Sequence, residues 1–171
     1  MTRRNLLERM LGAVGVLLGG EQAAASSAAS PGIERLELPK SEWKKRLSPE
    51  AYAVLFQEHT EPPRSSPLDK EKRPGRYVCA ACMLPLFESA AKFESGTGWP
   101  SFFRPIEGHV ETKTDFKLLV PRTEYHCARC GGHQGHVFDD GPAPTGLRYC
   151  NNGVALRFVP EGEPLPPLVR S

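Results

Sequence analysis

Five cysteines hold most of the chemistry available to this chain of 171 residues, and their spacing divides them four to one. Cys79-Ala80-Ala81-Cys82 and Cys127-Ala128-Arg129-Cys130 are two C-x2-C pairs. Two residues between thiolates let one tight turn aim both sulfurs at a single ion. Two such knuckles complete the four-thiolate tetrahedron of a structural zinc site. The interval 83–126 is longer than a compact zinc ribbon has, so a β segment must be inserted between the knuckles. Closing so distant a pair of turns with a metal makes zinc binding part of the folding free energy. Two disulfides are the alternative in an oxidising compartment. A redox-active C-x-x-C is a third reading, but neither pair sits in the βαβ context that such a motif needs.

Cys150 is left over. A solitary cysteine is often a small buried hydrophobe, and its neighbours decide whether it is more. Arg148 precedes it by two residues and Asn152 follows it by two, so on a strand all three share one face. A guanidinium beside a thiol favours the thiolate, which is the nucleophilic form. His133 and His136 lie upstream and are of the residue type that most often serves as proton donor. Asp139-Asp140-Gly141-Pro142 reads as a tight turn rather than as catalytic acid.

Short strands must position these groups. Seventeen prolines and 16 glycines punctuate the chain and exclude a helical bundle. From Arg76 onward, Tyr77-Val78, Phe116 to Val120, Glu124 to His126, His136 to Phe138 and Ala155 to Val159 are candidate strands of an antiparallel fold. One helix precedes them. Ser48-Pro49-Glu50 supplies an N-cap, a proline at the first helical position and an acid in the first turn. Tyr52, Leu55 and Phe56 form its apolar face, and it should end near His59. Pro31 to Lys40 reads as an extended lead-in, with Trp43 and Leu47 as the first core anchors, and 61–76 reads as a surface loop. A net charge of +2 without a basic stripe excludes nucleic-acid binding.

The first 30 residues stand apart from the domain at 31–171. Arg3-Arg4 precedes an uncharged run from Met10 to Gly20, too short to span a membrane, and Ala23-Ala24-Ala25 offers a cleavage site. This resembles a twin-arginine export signal and implies a periplasmic or otherwise exported mature chain with no membrane span. A disordered basic tail on a cytoplasmic protein is the alternative.

Taken in order, the motifs match one family. They are Cys79-x2-Cys82, Pro85-Leu86-Phe87, Lys92-Phe93, and Ser95-Gly96-Thr97-Gly98-Trp99-Pro100-Ser101-Phe102. Arg122-Thr123-Glu124, Cys127-x2-Cys130, His133-x-Gly135-His136-Val137-Phe138 and Pro144-Thr145-Gly146-Leu147-Arg148-Tyr149-Cys150-x-Asn152 follow. From about Trp43 to Pro160 the chain resembles the methionine-R-sulfoxide reductases, the B-type enzymes that reverse one epimer of methionine oxidation. The resemblance implies a mainly β fold, two antiparallel sheets stapled by zinc with a short N-terminal helix. It implies Cys150 as nucleophile, favoured by Arg148 and positioned by Asn152, with His133 or His136 as proton donor. Trp99 and Phe138 would wall the pocket that receives the substrate methyl group; without the motif, Trp99 reads sooner as an ordinary core aromatic. The implied partners are oxidised proteins or peptides, acted on by a monomer.

Three positions depart from the family pattern. Thr97 stands where many relatives carry a second redox cysteine, so a sulfenic acid on Cys150 would need an external thiol, a thioredoxin-like protein or a small thiol, to reset it. Gln134 replaces the common leucine, and Gly153 the usual serine. Two other functions compete: a zinc-dependent binding module on the same scaffold, and a peroxidase-like thiol sensor. Neither has a use for the aromatic and histidine groups beside Cys150.

Overall fold

The computed structural model of the chain describes residues 32–116 and 121–171. The candidate export signal and most of the candidate strand Phe116 to Val120 lie outside them. Two short helices come first, α1 (Lys40–Arg46) and α2 (Pro49–Gln57). The sequence announces α2 through its cap: the Ser48 hydroxyl accepts from the Ala51 amide, and Glu58 closes the helix in the left-handed conformation. It does not announce α1. That helix has Pro39 before it, no side-chain cap, and a single buried residue, Trp43. Packing therefore makes α1: Trp43 is 1% exposed and stacks on Phe56 of α2 at 5.1 Å.

Among the described residues nine strands follow: β1 (Gly75–Cys79), β2 (Pro85–Glu88), β3 (Lys92–Phe93), β4 (Ser101–Phe102), β5 (Val110–Asp115), β6 (Arg122–Cys127), β7 (His133–Phe138), β8 (Arg148–Asn151) and β9 (Leu156–Pro160). They form two antiparallel sheets, ordered β2-β1-β9 and β3-β4-β8-β7-β6-β5. The fold is mainly β, as expected. On one side β6 pairs with Val110–Asp115; Phe116, expected to open a strand, lies beyond the end of β5 and is 74% exposed, and the rest of that candidate strand lies outside the described residues. After Val110, β5 is built from Thr, Lys, Glu and Asp and is held by its ladder to β6. The loop at 61–76 also differs in part, since it contains a 3-10 turn at Pro67–Lys70 and gives way to β1 at Gly75.

The core lies between the sheets and is rich in aromatic rings. Phe87 stacks on Phe102 at 4.1 Å, Tyr77 meets Phe102 edge-on at 4.9 Å, and Tyr125 meets Tyr149 edge-on at 5.2 Å. Each such pair contributes about 0.5–1.5 kcal/mol beyond the area it buries. Tyr149 precedes Cys150, so one face of β8 rests on this cluster while the other carries the thiol.

Candidate active site

Register explains how the polar groups come together. Across the large sheet Ser101 pairs with Cys150, Cys150 with His136, and His136 with Glu124. Cross-strand partners point to the same face, so one face collects Cys150, His136 and Glu124. Regular alternation would turn His133 to the other face. A bulge between Tyr125 and His126 prevents this: Tyr125 pairs with Gly135 but His126 pairs with His133, leaving Gln134 as the extra residue. His133 therefore stays beside His136, with ring centroids 5.4 Å apart.

Cys150 lies in a cleft of about 130 Å³ lined by Trp99, Arg122, His136, Phe138, Asn152 and, from the loop after α2, Thr60. Burial pushes its thiol above the ordinary cysteine value, while the charge of Arg148 and hydrogen bonds from Thr97 and Arg148 pull it down. Arg148 cannot wander: its Nε and Nη2 each donate to the Asp140 carboxylate at 2.8 Å, and its guanidinium lies 4.3 Å from the centre of the Phe138 ring. Asp140, which the sequence presents as a turn former, is thus the group that orients Arg148.

The two histidines differ. His136 lines the cleft, and its Nε2 lies 2.8 Å from Asp115 Oδ2, an oxygen that also accepts from Arg122 Nη2 at 2.7 Å. Burial holds its imidazole below the ordinary histidine value; Arg122 adds to this and Asp115 opposes it. His133 sits behind it, 2% exposed. Its Nδ1 is 3.0 Å from Glu124 Oε1, poorly aligned for a hydrogen bond, and its Nε2 has no protein partner. Burial pushes the Glu124 carboxyl up, but His133 and Lys113 outweigh this and hold it below the usual range.

Asn152 is in the cleft by a different route from the one expected. β8 ends at Asn151, whose side chain takes the core face and accepts from the Tyr125 hydroxyl at 2.6 Å. Asn152 lies past the strand end. Its Nδ2 donates to the Gln134 carbonyl at 2.9 Å, and its Oδ1 accepts from the Glu61 amide at 3.0 Å. Glu61, Thr60 and Asp115 border the site and were not singled out by the sequence, whereas Arg122 and Glu124 stand in the family motif without a role assigned to them. The register places 115, 122 and 124 on one face, beside the histidines.

The four remaining cysteines converge elsewhere. Their sulfurs all lie within 4.8 Å of one another, with Cys79 to Cys130 at 3.7 Å and Cys82 to Cys127 at 3.5 Å. A zinc–sulfur bond of about 2.3 Å sets sulfurs about 3.8 Å apart in a regular tetrahedron, so the set fits a four-coordinate ion. Both turns are closed by backbone bonds, Met83 N–H to Cys79 O and Gly131 N–H to Cys127 O, each at 2.9 Å. Buried Gln134 lies between this cluster and the cleft: its Nε2 is 3.6 Å from Cys79 Sγ and its Oε1 3.5 Å from Asn151 Nδ2.

Residues 47–160 match the SelR domain family. The chain belongs to this family. It is 54% identical over 129 residues to the peptide methionine sulfoxide reductase MsrB of Methanosarcina barkeri, covering 75% of this chain and 91% of that protein. With the MsrB of Bradyrhizobium diazoefficiens it shares 52% over 123 residues, 71% of this chain and 88% of the relative. The chloroplastic peptide methionine sulfoxide reductase B1 of Arabidopsis thaliana is 50% identical over 126 residues, 73% of this chain and 62% of the plant protein. The relatives are named as peptide methionine sulfoxide reductases, so this chain belongs to a family of oxidoreductases.

Proposed function

We propose that the protein reduces the R epimer of methionine sulfoxide in proteins and peptides, using Cys150 alone as its redox centre. The observation that supports this most is the cleft itself. It sets one thiol against a histidine and two aromatic walls, His136, Trp99 and Phe138, with Arg148 fixed beside it.

In this reading the Cys150 thiolate attacks the sulfoxide sulfur while the histidine pair, of which His136 lines the cleft, protonates the sulfoxide oxygen. Attack joins Sγ to the substrate sulfur; the protonated oxygen then passes to Sγ as the sulfur–sulfur and substrate sulfur–oxygen bonds break, so methionine leaves and Cys150 is left as a sulfenic acid. The methyl group of the substrate occupies the space between Trp99 and Phe138. An external thiol then displaces water from the sulfenic acid to form a mixed disulfide, and a second thiol releases Cys150 and leaves as disulfide. Thr97, not a cysteine, is the residue beside Cys150, and the other four thiols are gathered in the cluster. Cys79, Cys82, Cys127 and Cys130 would hold a zinc ion that ties the knuckles together. Export through the Arg3-Arg4 signal belongs to the same proposal, with the mature chain acting in the periplasm as a monomer.

Peptides carrying the R or S sulfoxide, assayed with dithiothreitol, test the reading. Turnover of the R peptide only, abolished in Cys150→Ser, supports it. Equal turnover of both epimers, or activity surviving in Cys150→Ser, would sink it. Cell fractionation with mass mapping of the mature N-terminus decides the export reading.

A further inference from the structure

Two walls of the cleft have no ladder to hold them. Trp99 lies in the connection between β3 and β4, and Asn152 lies just past the end of β8. Side chains that must meet a substrate within a fraction of an ångström need some other restraint. Glu61 supplies one from each of its polar groups. Its carbonyl oxygen accepts from Trp99 Nε1 at 3.1 Å, and its amide donates to Asn152 Oδ1 at 3.0 Å. Its carboxylate accepts from the next two amides, Gly153 N–H at 2.6 Å and Val154 N–H at 2.9 Å.

The segment around Glu61 is pressed onto the same walls. Arg64 donates its amide to the Gly98 carbonyl at 2.6 Å, immediately before Trp99. Gly98 adopts φ +91°, and a Cβ there would stand 3.0 Å from Pro63 and Arg64. On the other side, a Cβ on Gly153 would come within 2.1 Å of Ser66 Oγ and 3.2 Å of Glu61 Oε1. The departure at Gly153 thus has a local cause: only glycine lets the 61–66 segment lie this close.

We infer that Glu61 is a positioning residue for substrate binding, tying Trp99 to Asn152 through the strap 61–66. It touches neither Cys150 nor the histidines by any hydrogen bond, so it acts on how substrate is held rather than on the reactivity of the thiol. The inference rests on the reading of the cleft given under Proposed function, and its test separates the two.

Glu61→Gln keeps the size of the side chain but turns an amide NH2 toward one of two N–H donors. KM for the R-sulfoxide peptide should rise roughly tenfold, the scale of one hydrogen bond to a charged group. The kcat should stay within about twofold, and iodoacetamide should alkylate Cys150 at the wild-type rate, because neither depends on the strap. Gly153→Ala should give the same KM signature by pushing Ser66 away. Adding Ser66→Gly removes the atoms in its path and should restore KM toward wild type. Wild-type KM in both single variants overturns the inference, as does a fall in kcat and alkylation with KM unchanged. If Glu61→Gln fails to fold, the Gly153→Ala and Ser66→Gly pair decides by the same readout. A wild-type enzyme inert on the R peptide would overturn the functional reading, and this role with it.

Discussion

Gly135→Ala tests whether the spacing of β7 and β8 sets the reactive geometry. Gly135 pairs with Asn151, one register position from the His136–Cys150 pair. A Cβ built there would stand 1.9 Å from the Cys150 carbonyl oxygen, 3.0 Å from its carbon and 3.3 Å from Asn151 Cα. All three are backbone atoms, so no side-chain rotation relieves the contact. A carbon–oxygen approach of about 3.2 Å or more needs the strands to part by more than 1 Å, which stretches the ladder on either side of Cys150. Overpacking on this scale costs about 3 kcal/mol. In a domain of this size that lowers Tm by about 10 °C. The displacement also moves Cys150 away from His136, and a misplacement of about 1 Å costs on the order of a hundredfold in rate. Calorimetry gives the first number, and single-turnover conversion of a sulfoxide peptide, followed by mass spectrometry, gives the second. Gly132→Ala is the control, because its nearest obstacle is Leu55 Cδ2 at 2.9 Å, the movable end of a side chain. A Gly135→Ala protein that melts within 2–3 °C of wild type and turns over normally would refute the link between strand spacing and rate.

Three further outcomes follow from the geometry. Cys82→Ser, or a strong chelator, should abolish cooperative unfolding as seen by circular dichroism, since binding at a four-thiolate site contributes about 10–16 kcal/mol against a typical stability of 5–15 kcal/mol; an unchanged melt with no metal bound would contradict the zinc assignment. Arg148→Gln removes the charge that opposes burial at Cys150, so the pH midpoint for iodoacetamide alkylation should move upward and the rate at neutral pH fall several-fold; an unmoved midpoint removes the role. Thr97→Cys places a second thiol next to Cys150, so one turnover should leave a disulfide between positions 97 and 150 in place of a sulfenic acid; mass spectrometry finding two separately reactive sulfurs would count against it.

Much of this was legible in the chain. The two C-x2-C pairs and the α2 cap at Ser48 depend on local spacing, while the grouping of Cys150 with Trp99, Phe138 and His136 was what the family resemblance implied. What escaped depends on pairing. The helix at Lys40–Arg46 has no cap to announce it and exists because Trp43 packs on Phe56. The acids Asp115 and Glu124 look like ordinary strand polars, and only the β5-β6-β7 register turns them toward the histidines. Glu61 stands in a proline-rich stretch that reads as loop, and nothing near it in sequence reveals a partner at 152–154.

Gln134 shows how one such departure can change the meaning of its neighbours. At the bulge it is the residue that β7 has in excess, and it is 0% exposed. Its extra position is what keeps His133 and His136 on one face, so the H-x-G-H spacing works only because the strand is irregular there. Its side chain takes up the polar atoms that irregularity leaves over, reaching Gly132 O at 3.4 Å, Cys79 Sγ and Asn151. Its carbonyl accepts from both the Asn152 amide, at 2.8 Å, and the Asn152 side chain. A leucine could fill the same volume but could satisfy none of the side-chain partners. The site therefore owes the alignment of its histidines to a strand defect, and that defect is closed by a buried amide standing between the cysteine cluster and the strand that bears Cys150.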